Sequence, residues 1–538
     1  MFQNYFKTAL RNLDKNRTQT TILVGGLTAG MAACILLLQY VGFELSFDRF
    51  HTKKDQIYRV VNERIQNGES IQKGTITYPT IGRTMAEEYP EIKNATRLAY
   101  SSDFMITHEN EVTPTELGLW ADEHFFEIFD FKLLVRNDVN VLDETNELIL
   151  SRSLTEQLFP ASKGDYEPIL GKELKIDRYR EPFKIVGVCE DVPENSLLQF
   201  DLLLSYVSTK RYWGEGTDNS WTWSDFYHFI ELEKGTDVVA LEAKFADFSE
   251  RHFRGTEVSG SEEIFTLQPL IDAHLYSQDL EYEIGETTNG RAVWSLLIIT
   301  FFILLIAWIN YVNLSSAKAI ERAKEVGVRK VLGATRGQLI RQFLTEAFTL
   351  NLISFLFALG LVQMLSPWLQ NSVGIQASGF SFFAADSVGI FIVLGFIGLI
   401  LLGVLISGIY PAWLLSSSQV SSVLKNVFMK NLGGANLRKG LVIFQFTISI
   451  ALITVTWIVS RQIDYMSQQD LGIDIEQVMT VNSPEMTNFD SIFIDKMNTF
   501  FFFIFFLDRL FCLYDFSFSY TSLCYLFLFL SLVLISYH

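Results

Sequence analysis

The chain has 538 residues, of which 49% are hydrophobic and 19% are charged, and its mean hydropathy is +0.22. This composition excludes a single soluble domain and indicates a membrane protein with a large soluble part. The formal net charge is -18, whereas residues 44–290 alone hold 47 acidic and 24 basic side chains, a balance of -23. The acidic segment argues against nucleic acid as a partner, because phosphates require a basic surface.

The N-terminal part predicts a membrane anchor. Residues 1–19 carry four basic side chains, and their apolar residues recur at helical spacing, which predicts a basic amphipathic helix at the cytoplasmic interface. Residues 20–43 are uncharged and long enough to cross the hydrocarbon core of a bilayer. They predict an uncleaved first span.

Residues 44–290 have no comparable apolar run and predict a soluble domain. Short β-type segments at 56–61, 147–150 and 183–188 alternate with helical patterns, and Asn67 with Gly68 is a turn signal. The pattern is typical of a mixed α+β domain. Cysteines are few and unevenly spaced, so a disulfide framework is not expected.

Three further apolar runs follow at residues 293–314, 343–365 and 387–410. Seven basic residues follow the first of these runs and four follow the third, so both connecting segments are expected in the cytoplasm. This orientation places residues 44–290 outside. A fifth span is predicted at 441–459.

The segment between the second and third spans combines charge with helical periodicity. Its acidic residues precede basic residues by three or four positions, which stabilises a helix surface. Gly333 suits the left-handed residue that ends a helix, and Thr335 with Gln338 fits a capping box. The pattern predicts a short amphipathic helix, a sharp corner and a helix that enters the membrane. From periodicity alone, an ordinary solvated loop is the alternative.

Three stretches carry a family resemblance. Residues 325–334 (EVGVRKVLGA) resemble the signature of the FtsX-like permease family, and 407–412 (SGIYPA) resemble the end of its last span. Residues 186–196 (VGVCEDVPENS) resemble the periplasmic core domain of MacB-type permeases. In that family the first stretch is a coupling helix that contacts an ABC ATPase. The resemblance assigns the ATPase-coupling role to Glu325, Gly327, Arg329, Lys330, Gly333 and Ala334.

The sequence therefore predicts an α-helical integral membrane protein with an α+β extracytoplasmic domain. Its helices form a one-plus-three transmembrane unit and the start of a second unit. The predicted order is a cytoplasmic amphipathic helix (1–19), the first span (20–43), a MacB-like periplasmic core domain (44–290), an FtsX-like permease domain (291–411) with its coupling helix (317–334), a cytoplasmic loop (412–438), the fifth span (439–460), a second extracytoplasmic region (461–498) and an aberrant tail (499–538).

The tail differs from the rest of the chain in composition. Residues 499–538 contain no Gly, Ala, Pro, Glu, Lys or Gln and are rich in Phe and Leu. We interpret this as a shifted reading frame or a truncated gene, so that the second unit is unfinished. The alternative is a genuine terminal span at 523–535.

Motifs for chemistry are not found in the sequence. It has no phosphate-binding Gly-x-x-x-x-Gly-Lys-Ser/Thr loop, no His-Glu-x-x-His and no Gly-x-Ser-x-Gly. We therefore expect no enzymatic activity, cofactor or metal of its own, and we expect His228 and His274 to be structural or exposed. The acid pair Glu262 and Glu263 is expected on the solvated surface.

Aromatic residues cluster between positions 213 and 227. Either they pack in a core or on a membrane-proximal surface, or they form a binding platform, and the first reading is favoured. The cluster comprises Trp213, Trp221, Trp223, Phe226 and Tyr227.

The favoured function is the permease subunit of an ABC transport system in the inner (plasma) membrane. As the resemblance implies, a separate ATPase docks on the coupling helix, and membrane lipids and a homodimer or second permease unit are further partners. The sequence leaves the substrate open. The alternatives are a non-transporting receptor or scaffold, or a non-functional truncated product.

Overall fold

The computed structural model describes most of the chain between residues 17 and 469. The described residues are 17–101, 104–109, 111–115, 117–138, 140–176, 179, 181–373, 395, 397–398, 400–405, 408, 434–467 and 469, with backbone only at 19, 316–325, 368–373 and 434–438. Residues 1–16 of the predicted helix at 1–19, most of the predicted span at 387–410 and the tail at 499–538 lie outside them.

The described helices differ sharply in length. They are α1 (Arg17–Glu44), α2 (Ile81–Glu88), α3 (Phe125–Ile128), α4 (Arg152–Leu158), α5 (Thr209–Trp213), α6 (Val238–Glu242), α7 (Phe245–Phe253), α8 (Leu270–Ala273), α9 (Gly290–Val331), α10 (Arg336–Val373) and α11 (Gly434–Ser467). Residues 43–290 form one compact unit, called here the sheet domain, and the long helices belong to a second unit.

The sheet domain is built on one mixed sheet. Its described strands are β1 (Ile57–Gln66), β2 (Glu69–Gly74), β3 (Ile76–Thr77), β4 (Ile92–Ser101), β5 (Phe104–His108), β6 (Glu111–Thr115), β7 (Gly118–Ala121), β8 (Leu133–Arg136), β9 (Glu147–Ser151), β10 (Glu173–Ile176), β11 (Phe183–Cys189), β12 (Leu202–Ser205), β13 (Phe226–Leu232) and β14 (Glu262–Pro269). The strand order is β14-β1-β13-β4-β7-β12-β9-β11-β10-β5-β6, with β2, β3 and β8 paired to β1, β13 and β11.

The sequences of the central strands fit their buried position in the sheet. Every residue of β9 and β12 is buried, and these strands are nearly continuous apolar runs, as expected where both faces are covered. Parallel pairs occur here, β9 with β11 and β7 with β12. The other described pairs are antiparallel.

Strand β1 connects distant parts of the domain. It pairs with β14 along Tyr58 to Ile65 and with the end of β13 near its start. A hairpin joins β1 to β2 through Asn67 (φ +56°) and Gly68 (φ +82°), two left-handed residues of the kind that a type I′ turn requires. The turn signal at this position is confirmed.

Helices cover the β14-β1-β13 end of the sheet. Met85 from α2 and Phe248 from α7 are fully buried against Val60, Ile230 and Phe265 from the strands. Two further apolar clusters fill the rest of the domain, one around Phe125 and Phe129 and one around Trp120 and Phe183. The expected α+β domain is confirmed.

Four helices are apolar and long enough to cross a membrane, among the described residues. Their candidate spans are Thr20–Glu44, Gly290–Ser315, Arg336–Pro367 and Lys439–Ser467. Small residues bring α1 and α9 together, since a Cβ atom built on Gly30 would lie 2.7 Å from Cβ of Ala307. The expectation of an α-helical membrane protein is confirmed.

The structure corrects one local prediction. The coupling segment is not a separate short helix, because α9 runs without a break from Gly290 to Val331 over 42 residues. At 1.5 Å per residue, such a helix is about 63 Å long, roughly twice the hydrocarbon thickness of a bilayer. The predicted coupling segment is the far end of the second spanning helix.

Candidate coupling corner

Helix α9 ends in a corner formed by its own backbone. The N–H of Gly333 donates to the carbonyl of Lys330 at 3.1 Å, and the N–H of Ala334 donates to the carbonyl of Arg329 at 3.0 Å. These two bonds define a Schellman cap, whose left-handed residue is Gly333 at φ +93°. The predicted helix-ending role of Gly333 is confirmed.

The next helix begins at once with its own cap. Oε1 of Gln338 accepts from the backbone N–H of Thr335 at 3.0 Å, which is the glutamine half of the predicted capping box. The N–H of Gln338 in turn donates to the carbonyl of Thr335 at 3.1 Å. Only four residues, 332–335, therefore separate two capped helix ends.

A side-chain bond closes the corner from within. Nη1 of Arg329 on α9 donates to Oε1 of Gln342 on α10 at 2.8 Å. Lys330, the next residue, is partly buried and close to Arg336. Its burial, and to a smaller extent the charge of Arg336, lower the pKa of the Lys330 ammonium group. Since both helix ends carry basic groups, the corner presents positive charge.

Three large apolar side chains project from the end of α9 and are called here the corner patch. Val328, Val331 and Leu332 are 53%, 68% and 81% exposed. Val326 and Gly327, one turn earlier, are buried. The apolar stripe expected along this segment is thus uncovered at its last turn.

The corner patch lies beyond the apolar part of its helix. The candidate span ends at Ser315, and Val331 follows 16 residues later, about 24 Å along the axis. The candidate span of α10 begins at Arg336, four residues after Leu332. Exposed apolar side chains that lie next to one another are typical of an interaction surface.

The predicted coupling residues are only partly brought together. Arg329, Lys330, Gly333 and Ala334 form the corner, whereas Gly327 lies buried on the helix. Glu325 belongs to α9, and its side chain is outside the described part. The sequence interpretation did not single out Leu332, which is exposed, or Gln342, which accepts from Arg329.

Two histidines of the sheet domain, expected to be structural or exposed, are both buried and hydrogen-bonded. His228 is buried, its Nδ1 accepts from the N–H of Gly82 at 3.2 Å, and its Nε2 donates to the carbonyl of Tyr78 at 2.8 Å. Burial, with a contribution from Arg97, lowers the pKa of His228 to about 3. His274 is buried as well and bridges two connections of the domain. Within the described residues, no group of three His, Cys, Asp or Glu side chains is arranged to hold a metal ion.

The aromatic cluster divides among three cores, and Tyr227 packs against the one around Phe125 and Phe129. Trp223 packs on Trp213 and Phe226, with ring centroids 5.4 and 5.0 Å apart. Trp221 instead stacks on His252 at 4.5 Å and contacts Phe253. The packing interpretation is supported and a single aromatic platform is not.

The expected surface position of Glu263 is wrong. Its side chain is buried and accepts hydrogen bonds from Asn62 (2.7 Å), Tyr78 (2.9 Å) and Ser261 (2.7 Å). Burial, together with the carboxylate of Glu263, raises the pKa of Tyr78. These hydrogen bonds of Glu263 lie beside the β1-β14 pairing. They link residues from the beginning and from the end of the domain's sequence.

Comparison with known families identifies both parts of the chain. Residues 20–248 match the family model of the MacB-like periplasmic core domain, and residues 297–420 match that of the FtsX-like permease C-terminal. The two ranges do not overlap, and together they cover more than half of the chain. The chain belongs to the MacB/FtsX-like family of ABC transporter permeases, the membrane components of such transporters.

Individual relatives agree with this assignment. The chain is 29% identical over 217 residues to "Uncharacterized ABC transporter permease YknZ" of Bacillus subtilis (strain 168), a match that covers 40% of this chain and 47% of the relative. It is 23% identical over 316 residues to "Macrolide export ATP-binding/permease protein MacB" of Neisseria gonorrhoeae (strain ATCC 700825 / FA 1090), covering 57% and 44%. The chain spans about half the length of the curated relatives it matches.

A solved structure is similar to the sheet domain at a low level. The periplasmic region of MacB from Actinobacillus actinomycetemcomitans is 14% identical, with 40% of this chain and 88% of that one covered and a TM-score of 0.29. The assignment of the domain rests on the family match. The permease is a multi-pass protein of the inner (plasma) membrane, with the sheet domain on the extracytoplasmic side.

Proposed function

We propose that this chain couples ATP hydrolysis by a separate ABC ATPase to movement of its extracytoplasmic sheet domain, for export or for mechanical signalling across the membrane. The observation that carries the proposal is the corner patch. Val328, Val331 and Leu332 are exposed on a basic corner that follows the charged part of α9. Burial of each of these side chains by a partner contributes about 1.5–3 kcal/mol at most.

The shape of α9 supports the same function. A continuous helix from Gly290 to Val331 connects the sheet domain with the corner. A displacement of the corner by nucleotide-driven closure of the ATPase is then carried along one continuous helix. The coupling residues proposed here are Glu325, Gly327, Arg329, Lys330, Gly333 and Ala334, together with the corner patch.

Co-purification of an ABC ATPase with the tagged full chain, followed by ATPase assays, tests the proposal. Leu332→Asp is expected to reduce recovery of the ATPase and its stimulation at least tenfold, because a carboxylate replaces the most exposed apolar side chain of the patch. The matched control is Val239→Asp, since Val239 is 75% exposed but lies in the sheet domain. The ATPase recovered with this control should equal that recovered with the unmodified chain.

Two results contradict the proposal. If Leu332→Asp recovers and stimulates the ATPase like the control, the patch is not the docking surface. If the unmodified chain neither retains nor stimulates any ABC ATPase, the receptor or scaffold function replaces the permease function.

A further inference from the structure

The two connections between the sheet domain and its flanking membrane helices meet at one buried histidine. The incoming connection leaves α1 at Glu44, and the outgoing connection reaches α9 at Gly290. His274, which directly follows α8, contacts both of them. All of these residues belong to the compact unit 43–290.

The imidazole of His274 is held on three sides. Its Nε2 lies 2.5 Å from Oε2 of Glu44, and its Nδ1 lies 2.9 Å from the backbone carbonyl of Glu286. The ring of Phe47 stacks on it with centroids 3.4 Å apart and an interplanar angle of 3°. His274 is 2% exposed and Glu44 is 6% exposed, so their contact is sheltered from water, whereas the contact to Glu286 is partly buried.

Backbone bonds continue the attachment of the outgoing connection. The N–H of Thr288 donates to the carbonyl of His274 at 2.8 Å, and the N–H of Gly290 donates to the carbonyl of Leu275 at 2.8 Å. A Cβ atom on Gly290 would lie 2.8 Å from that same carbonyl oxygen. The glycine therefore permits the start of α9 to approach this segment closely.

The protonation of the pair follows from its partners. Both imidazole nitrogens face oxygen atoms that accept hydrogen bonds, a carboxylate and a carbonyl. A neutral imidazole donates only one such bond. Both contacts are satisfied when Glu44 and His274 together hold one additional proton, as an imidazolium and a carboxylate or as two neutral groups. The single side chain then bonds both connections at once.

We propose that His274 is the positioning residue that ties the incoming and outgoing connections together, so that displacement of either membrane helix is passed to the sheet domain at this point. The transmission of displacement rests on the proposed function. The bonding of both connections by His274, called here the tie, does not. No ATPase is needed to test the tie, so its failure and the failure of the proposed function are distinguishable.

Hydrogen exchange of the full chain in lipid nanodiscs, measured by mass spectrometry, tests the tie. The reporters are the N–H of Asp48, which donates to the carbonyl of Asn195 at 2.9 Å in the incoming connection, and the N–H groups of Thr288 and Gly290 in the outgoing one. His274→Ala should accelerate exchange at both sets by about tenfold or more, because each connection loses its bond to the buried imidazole.

Two conservative variants separate the two contacts. The amide of Asn reaches the position of Nδ1, so His274→Asn should keep the bond to the Glu286 carbonyl and release only the incoming connection. The longer Gln reaches the position of Nε2, so His274→Gln should keep the bond to Glu44 and release only the outgoing one. A residue with a merely structural role does not produce this reciprocal pattern.

The outcomes are decisive in both directions. Reciprocal acceleration in the Asn and Gln variants supports the tie, even if the Ala variant does not fold. Equal acceleration of both connections in the Asn and Gln variants, or unchanged exchange in all three variants, overturns it.

Discussion

Arg59 and Glu283 form a two-pronged ion pair inside the sheet domain, although 223 residues separate them in the chain. Nη1 and Nη2 of Arg59 lie 2.5 and 2.8 Å from the two carboxylate oxygens of Glu283. Arg59 is 2% exposed and the Glu283 side chain 14%. The pair fixes β1 to the segment that leads out of the domain towards α9.

Glu283→Gln is expected to destabilise the sheet domain by about 3 kcal/mol, because it leaves the guanidinium of Arg59 buried without its counter-charge. Chemical denaturation of the full chain in detergent, followed by tryptophan fluorescence, measures the change. Glu87→Gln is the control, since Glu87 and Arg83 form an exposed pair at 3.9 Å. Its effect should stay below about 0.5 kcal/mol. Equal effects in the two variants would contradict the importance of burial.

Gly333→Ala should loosen the coupling corner. A side chain in the left-handed conformation costs about 1 kcal/mol, which corresponds to roughly fivefold more frequent local opening. Trypsin cleavage after Lys330 and Arg336 in inverted membrane vesicles reports this opening. Gly337→Ala is the matched control, because Gly337 is helical and has open space around it. Cleavage in the control should be unchanged or slower, and faster cleavage there would point to a general effect of added methyl groups.

Acidification should destabilise the sheet domain through His228. Its pKa in the folded state, about 3, is below the unfolded value of about 6.5, so the unfolded state binds the proton first. The associated stability is fully present above pH 6.5 and is lost as the pH falls towards 3. Between pH 7 and pH 5 the loss is about 2 kcal/mol.

The matching variant for this test is His228→Asn. Its side-chain oxygen can still accept from the N–H of Gly82, but it does not titrate in this range. Its stability should be lower at pH 7 and should depend less on pH between 7 and 5. If the stability of this variant depends on pH as steeply as that of the unmodified chain, the acid sensitivity belongs to other groups.

Gly30→Leu should separate α1 from α9. Even a Cβ atom at this position would lie 2.7 Å from Ala307, so a leucine forces the helices apart at a cost of about 1–3 kcal/mol. The melting temperature of the full chain in detergent should fall by several degrees. Gly25→Leu is the control on the same helix, because nothing lies within 4 Å of a Cβ atom at Gly25. A similar loss in both variants would show that added bulk anywhere on α1 is harmful.

Signals carried by neighbouring residues were readable from the sequence. The hairpin at Asn67 and Gly68, the helix end at Gly333 and the glutamine cap on Thr335 each depend on a few adjacent residues. Their backbone requirements are nearly independent of the rest of the fold. The apolar runs were readable for the same reason, since a span needs only length and hydrophobicity.

Features that depend on distant partners were not readable. The partners of Glu263 include Asn62, about 200 residues earlier, so an acid pair that looked solvated is buried in a network. The continuity of α9 was missed for a different reason. A change from apolar to charged residues marks the edge of the membrane, whereas a helix end needs its own signal. No Gly or Pro lies between Ser315 and Val326 to provide one.

The position of β1 also determines when the domain can be completed during synthesis. Residues 57–66 cross the membrane early, yet their long-range partners, β13 and β14, end only at Leu232 and Pro269. At about 5–20 residues per second, the ribosome needs roughly 10–40 s to supply the missing strand β14. Until β13 is made, β1 has only its hairpin partner β2, and the edge that pairs with β14 stays open to proteases and to neighbouring nascent chains for the whole interval. The yield of this permease therefore depends on how fast the second half of its external domain is translocated.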